Sequence, residues 1–284
     1  MNGPEQSPPL PWNGRLEAME RLLEVAKSHT LPSFLAGQCE ASTKPDGTLV
    51  TQADQAAESA MRGWLREHFP DDGVLGEEGP SKPGHSGWTW VLDPIDGTAS
   101  FRHQVPLWGT LIGLRHHERP VAGACDLPAL RLGATGTCHE AHLLVEGHPQ
   151  SMPARPSPCR LHEATLVTTG WDYFRMAGVE AAYAELAHQA ARTKGWSDCY
   201  GLWLLLAGRV DVVVEPLLHP WDIEWLAPLA HATGLKLTNW RGDRCDSPGQ
   251  CVASHGGVLH DEVTRILRPH ARGEELKKPG HRPG

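Results

Sequence analysis

The stretch WTWVLDPIDGT, residues 88–98, decides how this chain is read. Trp88 to Leu92 are short, apolar and aromatic, the pattern of a strand, and Asp93-Pro94 ends it in a loop. Two carboxylates three residues apart on a loop leaving a strand, Asp93 and Asp96, can converge on one cation. The Ile95 carbonyl between them is a further oxygen donor. All-oxygen ligation selects Mg2+ or a similar hard ion. Pro94 fixes the backbone, and Gly97 lets the chain turn tightly into a helix N-terminus, where the Gly97 and Thr98 amides would grip a phosphate. A lone Asp-x-x-Asp reads as an ordinary helix-capping turn. The six-residue run with an apolar strand ahead of it favours the cation and phosphate instead.

Further acids flank this run. Glu77 and Glu78 lie between glycines in GEEG at 76–79, which alone reads as a solvated acidic turn. Asp54 stands just inside a helix that follows Thr51, as a partner for the helix dipole or as an active-site carboxylate. Asp222 precedes a helix, as an N-cap or as a side chain projecting into a site at strand and helix ends.

Apolar spacing marks helices over 15–27, ending near Pro32, and over 53–68. Short β-rich runs predict strands at 88–92, 105–114, 121–124 and 141–145. After a Pro-rich piece at 149–158, the reading continues as strand 164–168, helix 177–191, helix 198–206, strand 210–215, helix 223–232 stopped by Gly234, and strand 235–240. Helices alternating with hairpin-like strand pairs predict an α/β (α+β) fold, a layered αβαβα sandwich rather than a purely parallel sheet. The expected organisation is a single domain over 12–272, with possible sub-domains 12–150 and 160–272. The tails 1–11 and 273–284 are expected to be flexible.

With 34 acidic against 26 basic side chains, a net charge of −8, the chain has no basic stripe suited to a nucleic-acid polymer. No apolar run approaches the roughly 20 residues of a membrane span, and the N-terminus lacks a signal-peptide layout, so a cytoplasmic protein is expected. Seven scattered cysteines without a CxxC pair suit reduced thiols. The seventeen histidines, lacking HxH or HExxH spacing, read as surface.

The segments LVTQAD at 49–54, GEEG at 76–79, LDPIDGTASF at 92–101 and PWDIEWLAP at 220–228 resemble the inositol monophosphatase superfamily of metal-dependent, lithium-sensitive phosphatases. The resemblance runs from about Leu16 to Arg268. It implies the sandwich fold of that type, a homodimer, a small phosphate monoester as substrate, and two or three Mg2+ ions, with Mn2+ as a possible substitute. Glu77, Asp93, the Ile95 carbonyl, Asp96 and Asp222 would be metal ligands, and Gly97 and Thr98 the phosphate cradle. Thr98 would orient the attacking water, which Glu77 and Asp54 help to activate. WSDCYG at 196–201 and Glu215-Pro216 look more like the histidinol-phosphate phosphatase branch. There Asp198 and Glu215 fall where the family contacts the non-phosphate end of the substrate, and two acids suit a cationic amine and imidazole better than a polyol. Ala99 and the stretch 131–134 depart from the family pattern at positions that touch no expected ligand. Inositol-1-phosphate, a sugar phosphate or a nucleotide 3′-phosphate are the alternative substrates, and a non-catalytic cation-binding protein on the same fold is the alternative of another class.

Overall fold

The computed structural model describes residues 12–44, 49–153, 160–196, 198–245 and 248–272. The expected flexible tails, and residues 154–158 of the Pro-rich piece, lie outside them. The chain opens with helix α1 (Arg15–Leu35), the short hairpin β1 (Ala41–Thr43) and β2 (Leu49–Thr51), and helix α2 (Gln52–His68). Seven strands then build one sheet in sequence order: β3 (Gly73–Gly76), β4 (Trp88–Asp96), β5 (Gly109–His116), β6 (Arg119–Leu127), β7 (Leu132–Thr137), β8 (Ala141–Val145) and β9 (His148–Ser151). Only β3 and β4 pair in parallel. Helix α3 (Thr98–Arg102) is inserted after β4.

The rest of the chain forms a second sheet, ordered β11-β10-β12-β14-β13. It comprises β10 (Thr165–Val167), β11 (Arg192–Lys194), β12 (Val212–Leu218), β13 (Lys236–Thr238) and β14 (Gly249–Ser254). Its helices are α4 (Trp171–Met176), α5 (Glu180–Gln189), α6 (Asp198–Leu206), α7 (Pro220–Ile223), α8 (Leu226–Thr233) and α9 (Gly257–Leu267).

Strand alternation explains the layers. On β5, Ile112 and Leu114 turn toward Leu22, Ala26, Met61 and Leu65 of α1 and α2, while Leu111 turns the other way. Leu111 joins Leu202 and Leu205 of α6, Leu226 and Leu229 of α8, and Val213 on the near face of the second sheet. Val212 and Val214 face outward, onto Phe174, Leu186, Leu259 and Val263 of α4, α5 and α9. The order is therefore helix, sheet, helix, sheet, helix, the expected sandwich. Each fully buried Leu, Met or Phe in these layers contributes about 1.5–3 kcal/mol.

Several boundaries differ from the sequence reading, for identifiable reasons. Helix α1 continues through Pro32 because Phe34 is buried against Phe101 and Trp108, and the ladder resumes with the Ala36 amide on the Pro32 carbonyl at 2.9 Å. The strand expected from 105 starts at Gly109, since Trp108 is committed to that same aromatic cluster. The helix expected over 177–191 starts only at Glu180 as α5, because Gly178, at φ +62°, turns the chain between it and the preceding α4. The helix expected at 223–232 starts at Leu226 as α8, and Ile223 is instead the last residue of the separate turn α7. Strands β7 and β9 escaped the sequence reading, because LGATGT and HPQS carry little of the alternating apolar pattern that marks a strand.

Candidate active site

Strand β4 runs four residues beyond the apolar run and carries Asp93, Ile95 and Asp96. Its pairing with β5 shifts register between Asp93 and Asp96, so the two carboxylates leave a regular ladder and converge. Asp93 folds back to accept the Ile95 amide at 3.0 Å. Gly97, at φ +83°, turns the chain into α3; a Cβ there would stand 3.0 Å from the Leu107 carbonyl and 3.2 Å from an Asp198 carboxylate oxygen. Both the backbone conformation and the approach of Asp198 therefore call for glycine. Thr98 opens α3 and donates its hydroxyl to the Ile95 carbonyl at 3.1 Å.

Asp222 arrives from the other part of the molecule on α7. It is not the N-cap but the third residue of a capping box: His219 is the cap, and its amide donates to Asp222 Oδ2 at 2.7 Å. The segment is seated firmly on the first sheet. Glu224 takes a bidentate pair from Arg115 of β5, and a Cβ on Gly123 of β6 would fall 1.8 Å from the Trp225 carbonyl. Oxygens of Asp93, Asp96 and Asp222 consequently lie within 4.8 Å of one another.

Glu77 stands outside that triad but on the wall of the same cleft, ion-paired at 2.7 Å to Lys44, which also holds Glu78 at 2.7 Å. Asp54 lies buried behind the cleft, again as third residue of a capping box. Its Oδ2 accepts the Thr51 amide at 2.8 Å and the Thr51 hydroxyl, while Oδ1 is buried with no hydrogen-bond partner among the described residues.

Crowding sets the electrostatics. Burial, and then the charges of Glu77, Asp96 and Asp222, push Asp93 well above the ordinary carboxylate range. Burial and then Asp198 raise Asp96 to about 8, and burial and then Asp96 raise Asp222. Asp54 is pushed up to about 6 and Glu78 to about 7, in each case mainly by burial. Burial alone would lower the Lys44 pKa, but the adjacent Glu77 and Glu78 carboxylates raise it. A cluster of carboxylate oxygens, buried at Asp93 and half-buried at Asp96 and Asp222, that cannot all stay ionised fits a hard divalent cation by both donor chemistry and charge.

The cleft, of about 610 Å3, continues from Gly97 and Thr98 toward Asp198 and Glu215. Asp198 begins α6 at φ +55°, and its Oδ1 lies 3.5 Å from the Thr169 hydroxyl. Glu215, on β12, accepts the Thr169 amide at 2.8 Å through Oε1, while its Oε2 is buried with no hydrogen-bond partner among the described residues. Burial, followed by Asp198, drives the Glu215 pKa well up. Tyr173 and the stacked pair His219 and Trp221 complete this end. Sequence reasoning missed Lys44, Thr169 and Tyr173, none of which stands in a motif.

The profile of the inositol monophosphatase family matches residues 16–272. The chain belongs to the inositol monophosphatase family. It is therefore a phosphatase of a metal-dependent class. Among relatives in that family, a histidinol-phosphatase of Chlorobaculum parvum is 33% identical over 245 residues, covering 86% of this chain and 93% of the relative. A histidinol-phosphatase of Mycobacterium tuberculosis is 34% identical over 247 residues, covering 87% and 95%. The solved structure of an inositol monophosphatase from Zymomonas mobilis superposes with a TM-score of 0.75 at 27% identity, covering 91% of this chain and 99% of that one. No described helix is long and apolar enough to cross a membrane.

Proposed function

We propose that this protein hydrolyses the phosphate monoester of a small cationic metabolite, L-histidinol phosphate before others, to the alcohol and phosphate with the help of Mg2+. The observation that carries this reading is one cleft with three converging carboxylates beside the Gly97-Thr98 turn at one end, and Asp198 with the half-satisfied Glu215 at the other. The histidinol-phosphatase names of relatives matched over nearly their whole length support the same substrate.

Asp93, Asp96, Asp222, the Ile95 carbonyl and Glu77 would hold Mg2+, or Mn2+ in its place. Bound there, such ions would neutralise the ester dianion and make water acidic enough to attack it. The residues themselves supply the rest. The Thr98 hydroxyl donates to the Ile95 carbonyl, which leaves its lone pairs for the attacking water; Glu77 would accept a proton from that water, and Asp54, behind the cleft, would assist through hydrogen bonds. Gly97 and Thr98 receive the phosphoryl oxygens. Asp198 and Glu215 take the ammonium and the imidazole through charge-assisted hydrogen bonds. Residues 12–272 act as one phosphatase domain in this reading. The homodimer and lithium sensitivity rest on the family resemblance, and the cytoplasmic location rests on the sequence reading alone.

The test is phosphate release from histidinol phosphate, inositol-1-phosphate and adenosine 3′,5′-bisphosphate, side by side with Mg2+. Histidinol phosphate is expected to be the best of the three. Preference for either of the others overturns the substrate, and no release from any ester overturns the activity.

A further inference from the structure

Glu77 sits on the turn 76–80 that leaves β3, and a turn with two glycines has many conformations to lose. On one side it is pinned by its own amide, which donates to the Leu92 carbonyl of β4 at 3.2 Å. On the other side stands Glu58 of α2, which no motif singled out. Its carboxylate is buried, and it takes the Glu78 amide on Oε2 at 2.8 Å and the Gly79 amide on Oε1 at 2.8 Å. Arg62, one helical turn on, donates Nε to Glu58 Oε1 at 2.7 Å and spans the end of the same turn, with its two terminal nitrogens on the Gly79 and Pro80 carbonyls at 3.1 and 2.9 Å.

A carboxylate is costly to bury, and among the described residues this one is compensated by Arg62 and by the two amides that follow Glu77. Every bond that Glu58 and Arg62 are seen to make outside their own helix goes to this one turn. The glycines have the same origin: a Cβ on Gly76 would lie 2.5 Å from Glu58 Oε1 and 2.7 Å from Arg62 Nη2. Glu58 is also four residues after Asp54, so the helix that carries one carboxylate of the site fixes the backbone of another.

We propose that Glu58, braced by Arg62, is the positioning residue for Glu77, setting metal affinity through the backbone of the turn without touching metal or substrate; this rests on Glu77 being a metal ligand. Glu58→Gln keeps the shape but replaces one of the two accepting oxygens with a donor. Arg62→Lys leaves the carboxylate and gives up the guanidinium's fork.

The experiment uses the full-length chain stripped with EDTA. Mn2+ dissociation constants are measured from the free-ion EPR signal, together with hydrogen exchange of the Glu78 and Gly79 amides. Glu58→Gln should weaken Mn2+ about tenfold, the loss usual when a partner of a metal ligand is removed. Both amides should exchange faster, and at saturating Mg2+ kcat should recover with KM for the phosphate ester unchanged. Asp72→Asn is the control: that carboxylate is equally buried, on Arg15, Trp90 and Ser86, and its loss should lower the melting temperature but leave Mn2+ affinity alone. Should Glu58→Gln not fold, Arg62→Lys decides, with an expected loss of roughly threefold. Mn2+ binding within about 1.5-fold of wild type in the folded variant, or an equal loss in Asp72→Asn, overturns the proposal. Absence of Mn2+ binding in the wild type overturns the metal reading and the proposal with it, so the two failures are told apart.

Discussion

The two ends of the cleft handle acidity differently. At the end built on the seven-stranded sheet, Asp93, Asp96 and Asp222 crowd within 4.8 Å; beyond burial, the charges of Asp96 and Asp222 raise the pKa of Asp93, and Asp96 raises that of Asp222. At the end built on the five-stranded sheet, Glu215 is bedded on the Thr169 amide with one oxygen left over, and Asp198 leans on the Thr169 hydroxyl. The first arrangement has more negative charge than it can keep without a concentrated positive charge at its centre. The second has room and acceptors for a diffuse organic cation. In the proposed reading, chemistry and selection are divided between the two sheets, and Asp222 crosses the division.

Four changes would break or sharpen that contrast. The largest effect is expected from Asp96→Asn, which removes charge from the crowded end. Turnover should fall about 10³-fold or more, the equivalent of roughly 4 kcal/mol, with the melting temperature kept or raised. Steady-state phosphate release and calorimetry check both halves of that statement. Next is Arg115→Ala, which strips the guanidinium from the buried Glu224 and loosens the segment that carries Asp222. Unfolding should become easier by about 3 kcal/mol in urea titrations, and Mg2+ requirement should rise with it.

At the roomier end, Asp198→Ala should cost about 10- to 100-fold in kcat/KM for histidinol phosphate, the value of a hydrogen bond to a charged group, and much less for inositol-1-phosphate. Equal losses on both esters would mean that Asp198 serves Asp96 rather than the substrate. The smallest effect is in stability against pH. Asp96 and Glu78, raised to about 8 and about 7, stay protonated in the folded chain where the unfolded chain has already released protons near pH 4. The folded state binds more protons over that interval, so the stability they contribute is present below about pH 4 and is lost as pH rises through about 7 to 8. Metal-free protein should therefore melt a few degrees lower at about pH 8.5 than at about pH 5.5, and saturating Mg2+ should flatten the slope.

How much of this was legible in the sequence follows from the same contrast. Asp93 and Asp96 were readable because the strand, the turn and the two carboxylates are contiguous, and Asp222 because it lies at a helix start. Which residue caps that helix was not legible, since spacing alone does not say whether His219 or Asp222 takes the cap position. Lys44, Glu58 and Arg115 were not readable as partners at all: each meets its carboxylate or its turn only when distant segments fold together. Strand β7 was hidden because its glycines let other chain segments approach closely, with Trp203 donating to the Gly133 carbonyl at 2.6 Å.

The central claim is that Asp93, Asp96 and Asp222 share divalent ions. Anomalous diffraction from crystals soaked in Mn2+ tests it most directly. The account predicts a peak bonded at about 2.0–2.2 Å to carboxylate oxygens of all three residues. Mn2+ peaks elsewhere on the molecule with none among these three carboxylates would contradict it.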